Sequence, residues 1–237
     1  MTVKKVLSID MDYIVWECIE LYNDRIASIN GKGEKFWEKI NEIINLQPFL
    51  KHDENAFLLL LKLLCTQLRK LPEDRFYFAK EHDMILNFLF DDPEKKGFTY
   101  DVYNLDHHHD IYYNPRQKEE VDRFDFTCLA DWVYYMGKNE KLHKYYWCKT
   151  PTAKSFPEAE IGNLTFPVDF TTYSKNPEAL FDIDFDYVFV CRSSEYLPSK
   201  FYSFFEAMRQ SAEAVKGIAY PMHTQDYCKD GKSKHID

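Results

Sequence analysis

The sequence predicts an α/β protein, a three-layer α/β/α arrangement around a mostly parallel sheet. Three observations predict it. Short apolar runs rich in β-branched and aromatic residues alternate along the chain with segments of helical period. The chemically active residues stand just after those runs, where such sheets carry their working groups. The chain has 237 residues, 45% of them hydrophobic, which is enough for one sizeable core, so residues 1–237 are read as one domain.

The elements follow in order. "VKKVLSI" (3–9) is a buried strand ending at Asp10. "GEKFWEKINEIIN" (33–45) puts Phe36, Trp37, Ile40, Ile43 and Ile44 on one helical face. "ENAFLLLLKLLCTQLRK" (54–70) is a second helix, apolar most of the way round and followed by Pro72. "RFYFAKEH" (75–82) reads as a strand running into a loop, and "DMILNFLF" (83–90) as a short helix. "YDVYNL" (100–105) is a strand, "FTCLADWVYYMGK" (126–138) a helix and "KLHKYYWCK" (141–149) a strand. Residues 150–180 are rich in Pro, Thr and Asn and suggest a β-hairpin. "YVFVC" (187–191) is a strand and "SKFYSFFEAMRQSAEAVK" (199–216) an amphipathic helix. The polar tail after about residue 221 is expected to be mobile.

Composition narrows the function classes. A formal net charge of -9 argues against non-specific nucleic-acid binding, which needs a basic face, and favours a cationic substrate. There is no glycine-rich phosphate loop among the 7 glycines. The six cysteines, Cys18, Cys65, Cys128, Cys148, Cys191 and Cys228, form no CxxC pair, which disfavours a zinc knuckle. No run approaches the ~18 apolar residues of a membrane span, and the N-terminus lacks an apolar signal region. The expectation is a cytoplasmic protein with reduced thiols and no membrane partner.

"NLDHHHD" (104–110) carries the chemistry. With strand geometry maintained, Asp106, His108 and Asp110 point the same way, because side chains alternate with period two. "SIDMDYI" supplies Asp10 and Asp12 at the same spacing after another strand, and "KEHDMIL" supplies His82. Four carboxylates in one place need cations to neutralise them. Hard oxygen donors with two imidazoles and no thiolate suit two Mn²⁺ ions, with Fe²⁺ or Co²⁺ as substitutes. Glu195, in "CRSSEYLP", is a carboxylate suited to a cationic substrate, and Trp132 is a candidate for the channel wall or the core. Asp182, Asp184 and Asp186 form a further acidic alternation ahead of their strand.

These residues resemble the metal-binding elements of the arginase–deacetylase superfamily: a His, a DxHxD and a DxD at strand ends. "KEHDMIL", "NLDHHHDI", "ADWVYYM" and "CRSSEYLP" are similar to a small branch of it, the peptide arginases, which convert arginine residues of ribosomally made peptides to ornithine. The resemblance implies a dimanganese hydrolase that releases urea through a metal-bridging hydroxide, with an arginine-containing precursor peptide as substrate. It implies bridging roles for Asp10 and Asp106, with His82 and Asp110 on one ion and His108 and Asp12 on the other. Asp12 would also carry a proton and Glu195 would hold the guanidinium; the proton-shuttling histidine loop of arginases has no obvious counterpart here, and His109 or His143 could serve in its place.

One departure is that the DxD precedes the DxHxD, which requires a permuted strand order. Without permutation, Asp184 and Asp186 become the DxD candidates. The rival readings are a DHH-type phosphoesterase, a haloacid-dehalogenase-like phosphatase using Asp10 and Asp12, and a metal-stabilised binder of basic peptides without turnover.

Overall fold

The computed structural model describes residues 2–15, 52–91, 93–124, 127, 130–194 and 197–224. The expected helix at 33–45 and the chain beyond residue 224 lie outside the described residues. Among the described residues, seven strands form one sheet: β1 (Thr2–Asp10), β2 (Phe76–Ala79), β3 (Phe98–Asp106), β4 (Leu142–Lys149), β5 (Val168–Asp169), β6 (Tyr187–Cys191) and β7 (Met222–His223). Their order is β5-β4-β3-β1-β6-β2-β7, and every pairing is parallel. The helices are α1 (Glu54–Lys70), α2 (Ile85–Phe90), α3 (Pro115–Phe124), α4 (Trp132–Lys138), α5 (Glu158–Ile161), α6 (Thr172–Lys175) and α7 (Tyr202–Lys216).

The alternation along each strand sorts the core into two layers. Leu7, Ile9, Tyr103, Leu105, Val188 and Val190 face Leu60, Leu63, Leu64 and Leu68 of α1 and Phe205, Met208 and Ala212 of α7. On the other side, Val6, Val102, Tyr145, Tyr187 and Phe189 face Ile85, Leu86 and Leu89 of α2 and Trp132, Val133 and Met136 of α4. The fold is thus the expected three-layer α/β/α. Asp53 caps α1 by accepting from Ala56 N at 3.0 Å. Four buried leucines at ~2 kcal/mol each outweigh a cap of ~1 kcal/mol, so packing holds this helix. Gly217 ends α7 in the left-handed conformation, φ 71°, which costs glycine little.

Two expectations need correction, and one helix was not anticipated. Residues 150–180 form no hairpin: they hold α5, the two-residue edge strand β5, α6 and a 3₁₀ turn at Pro177–Asp182, and β5 runs parallel to β4. The helix expected at 126–138 begins at Trp132, because Asp131 (φ -145°) is not helical. Helix α3 went unpredicted because Val121 is its only buried residue and it carries no apolar stripe.

The topology positions a site. From β1 the chain moves to β2 on one side and then returns to β3 on the other. The carboxyl ends of β1 and β3 therefore flank a topological switch point, where open α/β sheets bind ligands. Among the described residues, no helix is long and apolar enough to cross a membrane.

Candidate metal centre

At that switch point the register pairs Ser8 with Asn104 and Ile9 with Leu105. Asp10 and Asp106, the next residues on each strand, thereby end side by side. Both lie on the same sheet face as Val6 and Val102, opposite Ile9 and Leu105. His82 enters from a 3₁₀ turn (His82–Met84) beyond β2. Its Nδ1 lies 3.0 Å from Asp10 Oδ2, 3.1 Å from Asp106 Oδ2 and 3.1 Å from Asp110 Oδ2. None of these oxygens lies along a ring N–H direction, so Nδ1 is a buried atom without an aligned hydrogen bond. The opposite nitrogen, Nε2, is 2.8 Å from Ser8 Oγ.

Strand geometry does not persist beyond Asp10 or Asp106, in contrast to the sequence expectation. Asp10 Oδ1 instead accepts from Asp12 N at 2.9 Å and caps the 3₁₀ turn Met11–Ile14. Asp106 Oδ1 accepts from His108 N at 2.7 Å, and Asp110 turns the chain at φ 49°. Aspartate tolerates this left-handed conformation better than most side chains. The two turns bring Asp12 Oδ2 to 2.7 Å from His108 Nδ1, while Asp12 Oδ1 accepts from His107 N at 3.0 Å.

Two buried groups can therefore hold a metal ion: Asp10, His82 and Asp106, and Asp12, Asp106 and His108. Asp106 is common to both. Its Oδ2 faces His82, and its Oδ1 lies 4.0 Å from His108 Nδ1. Asp110 joins the first group through its contact with His82. Asp10, the second bridging residue implied by the resemblance, falls in the first group. All six sequence-predicted ligands thus converge.

Electrostatics mark the cluster as charge-dense. Burial, then the neighbouring Asp106, pushes the Asp12 carboxyl up to about 6. Burial, then Asp110 and Asp10, raises Asp106 to about 6, and burial with Asp12 raises Asp10. Burial alone would lower the two histidines. Their carboxylate partners overcome it, Asp10, Asp106 and Asp110 for His82 and chiefly Asp12 for His108, which rises to about 9. Among the described residues, the ion pairs of these four aspartates are with His82 and His108. Four carboxylates against at most two imidazolium charges leave the centre negative, and a divalent cation would relieve that excess.

Other candidates fall elsewhere. Trp132 is 0% exposed, in keeping with the core reading; its Nε1 donates to Asp110 Oδ2 at 2.7 Å. His109 is buried among Tyr113, Trp147 and Phe156, and its Nδ1 accepts from Ile111 N at 3.2 Å. Burial, then His108, lowers it to about 3, far from what a proton shuttle at neutral pH requires. His143 is bonded to Asp101 near the start of β4, at the far end of the sheet. Asp186 accepts from Lys4 Nζ and Lys5 N, and Asp184 pairs with Lys70. Both sit at the amino-terminal edge, so the DxD of this centre is Asp10 and Asp12. Glu195 lies outside the described residues, although its neighbour Ser194 donates its N–H to Lys80 O at 3.5 Å, two residues before His82.

Sequence reasoning missed Ser8 and Asn104. Each is a polar residue in an apolar strand, two positions before a ligand aspartate and so on the same face. Asn104 Nδ2 donates to Asp106 Oδ2 at 2.9 Å and to Tyr145 OH at 3.0 Å. His107, the remaining histidine of the run, bonds Thr150 Oγ1 at 2.8 Å. No protein-family model, curated protein or solved structure matches this chain.

Proposed function

We propose that the chain is a divalent-cation-dependent hydrolase that converts arginine residues of a peptide to ornithine and releases urea. The observation that carries the hydrolase reading is Asp106, whose two oxygens serve two adjacent buried Asp/His groups. The unaligned His82 Nδ1 amid three carboxylate oxygens fits a ligand atom waiting for a cation. Asp10, His82, Asp106 and Asp110 would hold one ion, and Asp12, His108 and Asp106 the other. Mn²⁺ suits this donor set, as do Fe²⁺ and Co²⁺. Two such ions, when bound, supply Lewis acidity and lower the pKa of water. The choice of an arginine side chain rests on the peptide-arginase motifs.

In the proposed reaction, the oxygen of water adds to the guanidinium carbon. The bond from that carbon to the side-chain nitrogen then breaks. The nitrogen takes a proton and leaves as the primary amine of ornithine, and the carbon leaves as urea. Asp12 is assigned the proton transfer, the role that the arginase resemblance implies for it. Glu195 is assigned the guanidinium, as a bidentate carboxylate partner. The anchoring of Ser194 to Lys80 supports this by tying the preceding residue to the strand end that leads to His82.

The test is urea release from arginine-containing peptides by protein supplied with Mn²⁺, with free arginine, agmatine and a phosphodiester as comparisons. Urea and an ornithine-containing product from the peptide would support the reading. Hydrolysis of the phosphodiester alone would replace it with the phosphoesterase. Cation binding without turnover of any of the four would leave the peptide binder.

A further inference from the structure

Beneath the centre, three uncharged side chains converge on the first cation position. Ser8 reaches His82 Nε2, Asn104 donates to Asp106 Oδ2, and the Trp132 indole donates to Asp110 Oδ2. The two carboxylate oxygens gripped here are the same ones that face His82 Nδ1. Ser8 and Asn104 are 0% exposed, as is Trp132, so none of the three needs water to complete these bonds. We infer that Ser8, Asn104 and Trp132 are positioning residues that pre-form the His82 cation position, each holding one ligand by a neutral hydrogen bond. The inference rests on the proposed metal centre but not on its substrate.

The chemistry of the three is suited to the task. A lysine or arginine in their place would hold the aspartates equally well but would neutralise them and compete with a cation. Neutral donors fix direction and leave the negative charge for the ion. At His82, a proton on Nε2 shared with Ser8 Oγ leaves the Nδ1 lone pair facing the carboxylates, the state a metal ligand requires. Asn104 extends the brace further. Its second N–H bonds Tyr145 OH, and Tyr145 in turn donates to His109 O at 3.1 Å. One chain of bonds thereby ties Asp106 to the far end of its own histidine run. Trp132 also packs on His82, with ring centroids 4.8 Å apart, so it limits both the ligand carboxylate and the ligand imidazole. Asp110 is doubly held by α4, because its carbonyl accepts from Val133 N at 3.0 Å.

The experiment is Mn²⁺ titration of metal-free protein, followed by loss of the free-ion electron paramagnetic resonance signal. Wild type is compared with Ser8→Ala, Ser8→Thr and Trp132→Phe, with thermal unfolding of each metal-free form alongside. Ser8→Ala and Trp132→Phe are expected to weaken one of the Mn²⁺ affinities roughly 10- to 100-fold. Ser8→Thr, which keeps the hydroxyl, is expected to restore most of it. A merely structural serine would lower the melting temperature without moving the Mn²⁺ affinity. Affinity unchanged within about twofold in Ser8→Ala would overturn the inference, and this near-isosteric variant decides the matter even if Trp132→Phe fails to fold. A wild type that binds no Mn²⁺ would instead overturn the metal centre itself.

Discussion

Raising the pH of the metal-free protein from 6.5 to 9 should destabilise it, because His108 is raised to about 9 by its carboxylate partners. A histidine with a raised folded pKa contributes stability below its unfolded value of about 6.5, and that contribution disappears as pH climbs through 9. The distance between about 6.5 and about 9, at 1.36 kcal/mol per pH unit, corresponds to about 3 kcal/mol. His82 is displaced in the same direction and adds to the loss. The window matters. Below 6.5, Asp12 and Asp106 lose stability as pH rises through about 6. His107 and His109, held neutral by burial with pKa values near 3, gain stability over the same range, so the effects oppose one another. Above 6.5, among the described residues, the raised histidines dominate, and the buried Cys148 and Cys191 thiols, also raised, add to the loss only near pH 9. Urea unfolding at several pH values, after chelation, should therefore show a midpoint that falls by about 1 M or more between 6.5 and 9. Saturating Mn²⁺ should flatten or reverse the slope, because cations bind the deprotonated ligands. A metal-free midpoint that is flat or rises across this window would refute the reasoning.

Asp106→Ala should abolish Mn²⁺ uptake at both positions, since one residue serves both groups; elemental analysis still showing two ions per chain would remove Asp106 from the centre. Glu195→Gln should keep Mn²⁺ and lose turnover of arginine peptides, measured as urea, and unchanged turnover would end its assignment to the guanidinium. Gly137→Ala should cost about 1–3 kcal/mol in chemical denaturation, because a methyl there would meet Phe166 at 2.0 Å and force that ring aside. Asp186→Asn should leave Mn²⁺ affinity unchanged, because its partners are Lys4 and Lys5 at the far end of the sheet.

The fold was legible where the apolar pattern was strong. The runs at 3–9, 100–105 and 187–191 became β1, β3 and β6, and the leucine-rich stretch from Glu54 became α1. Elements without a buried stripe left no such pattern: α3 buries only Val121, and β5 has two residues. The six residues of the candidate centre were legible because no core requires aspartates and histidines at strand ends. Their geometry was not, because Asp12 and Asp110 arrive through turns rather than by strand alternation. Ser8 and Asn104, polar side chains two residues before Asp10 and Asp106, were missed because their place beside the cluster needs the register that sets the two strands side by side. Trp132 was left between channel wall and core because aromatic composition does not separate the two; its burial fits the core reading. His109 misled because its run suggested the centre, whereas its ring points into the aromatic core.

The central claim is that the paired Asp/His groups sharing Asp106 form a two-cation centre. Its most direct test is the metal content of protein purified with Mn²⁺, measured by elemental mass spectrometry beside the Asp10→Asn variant. The account predicts about two manganese ions per wild-type chain and a clear fall in the variant. Wild-type protein without bound divalent cation, folded and supplied with Mn²⁺, Fe²⁺ and Co²⁺ in turn, would contradict it.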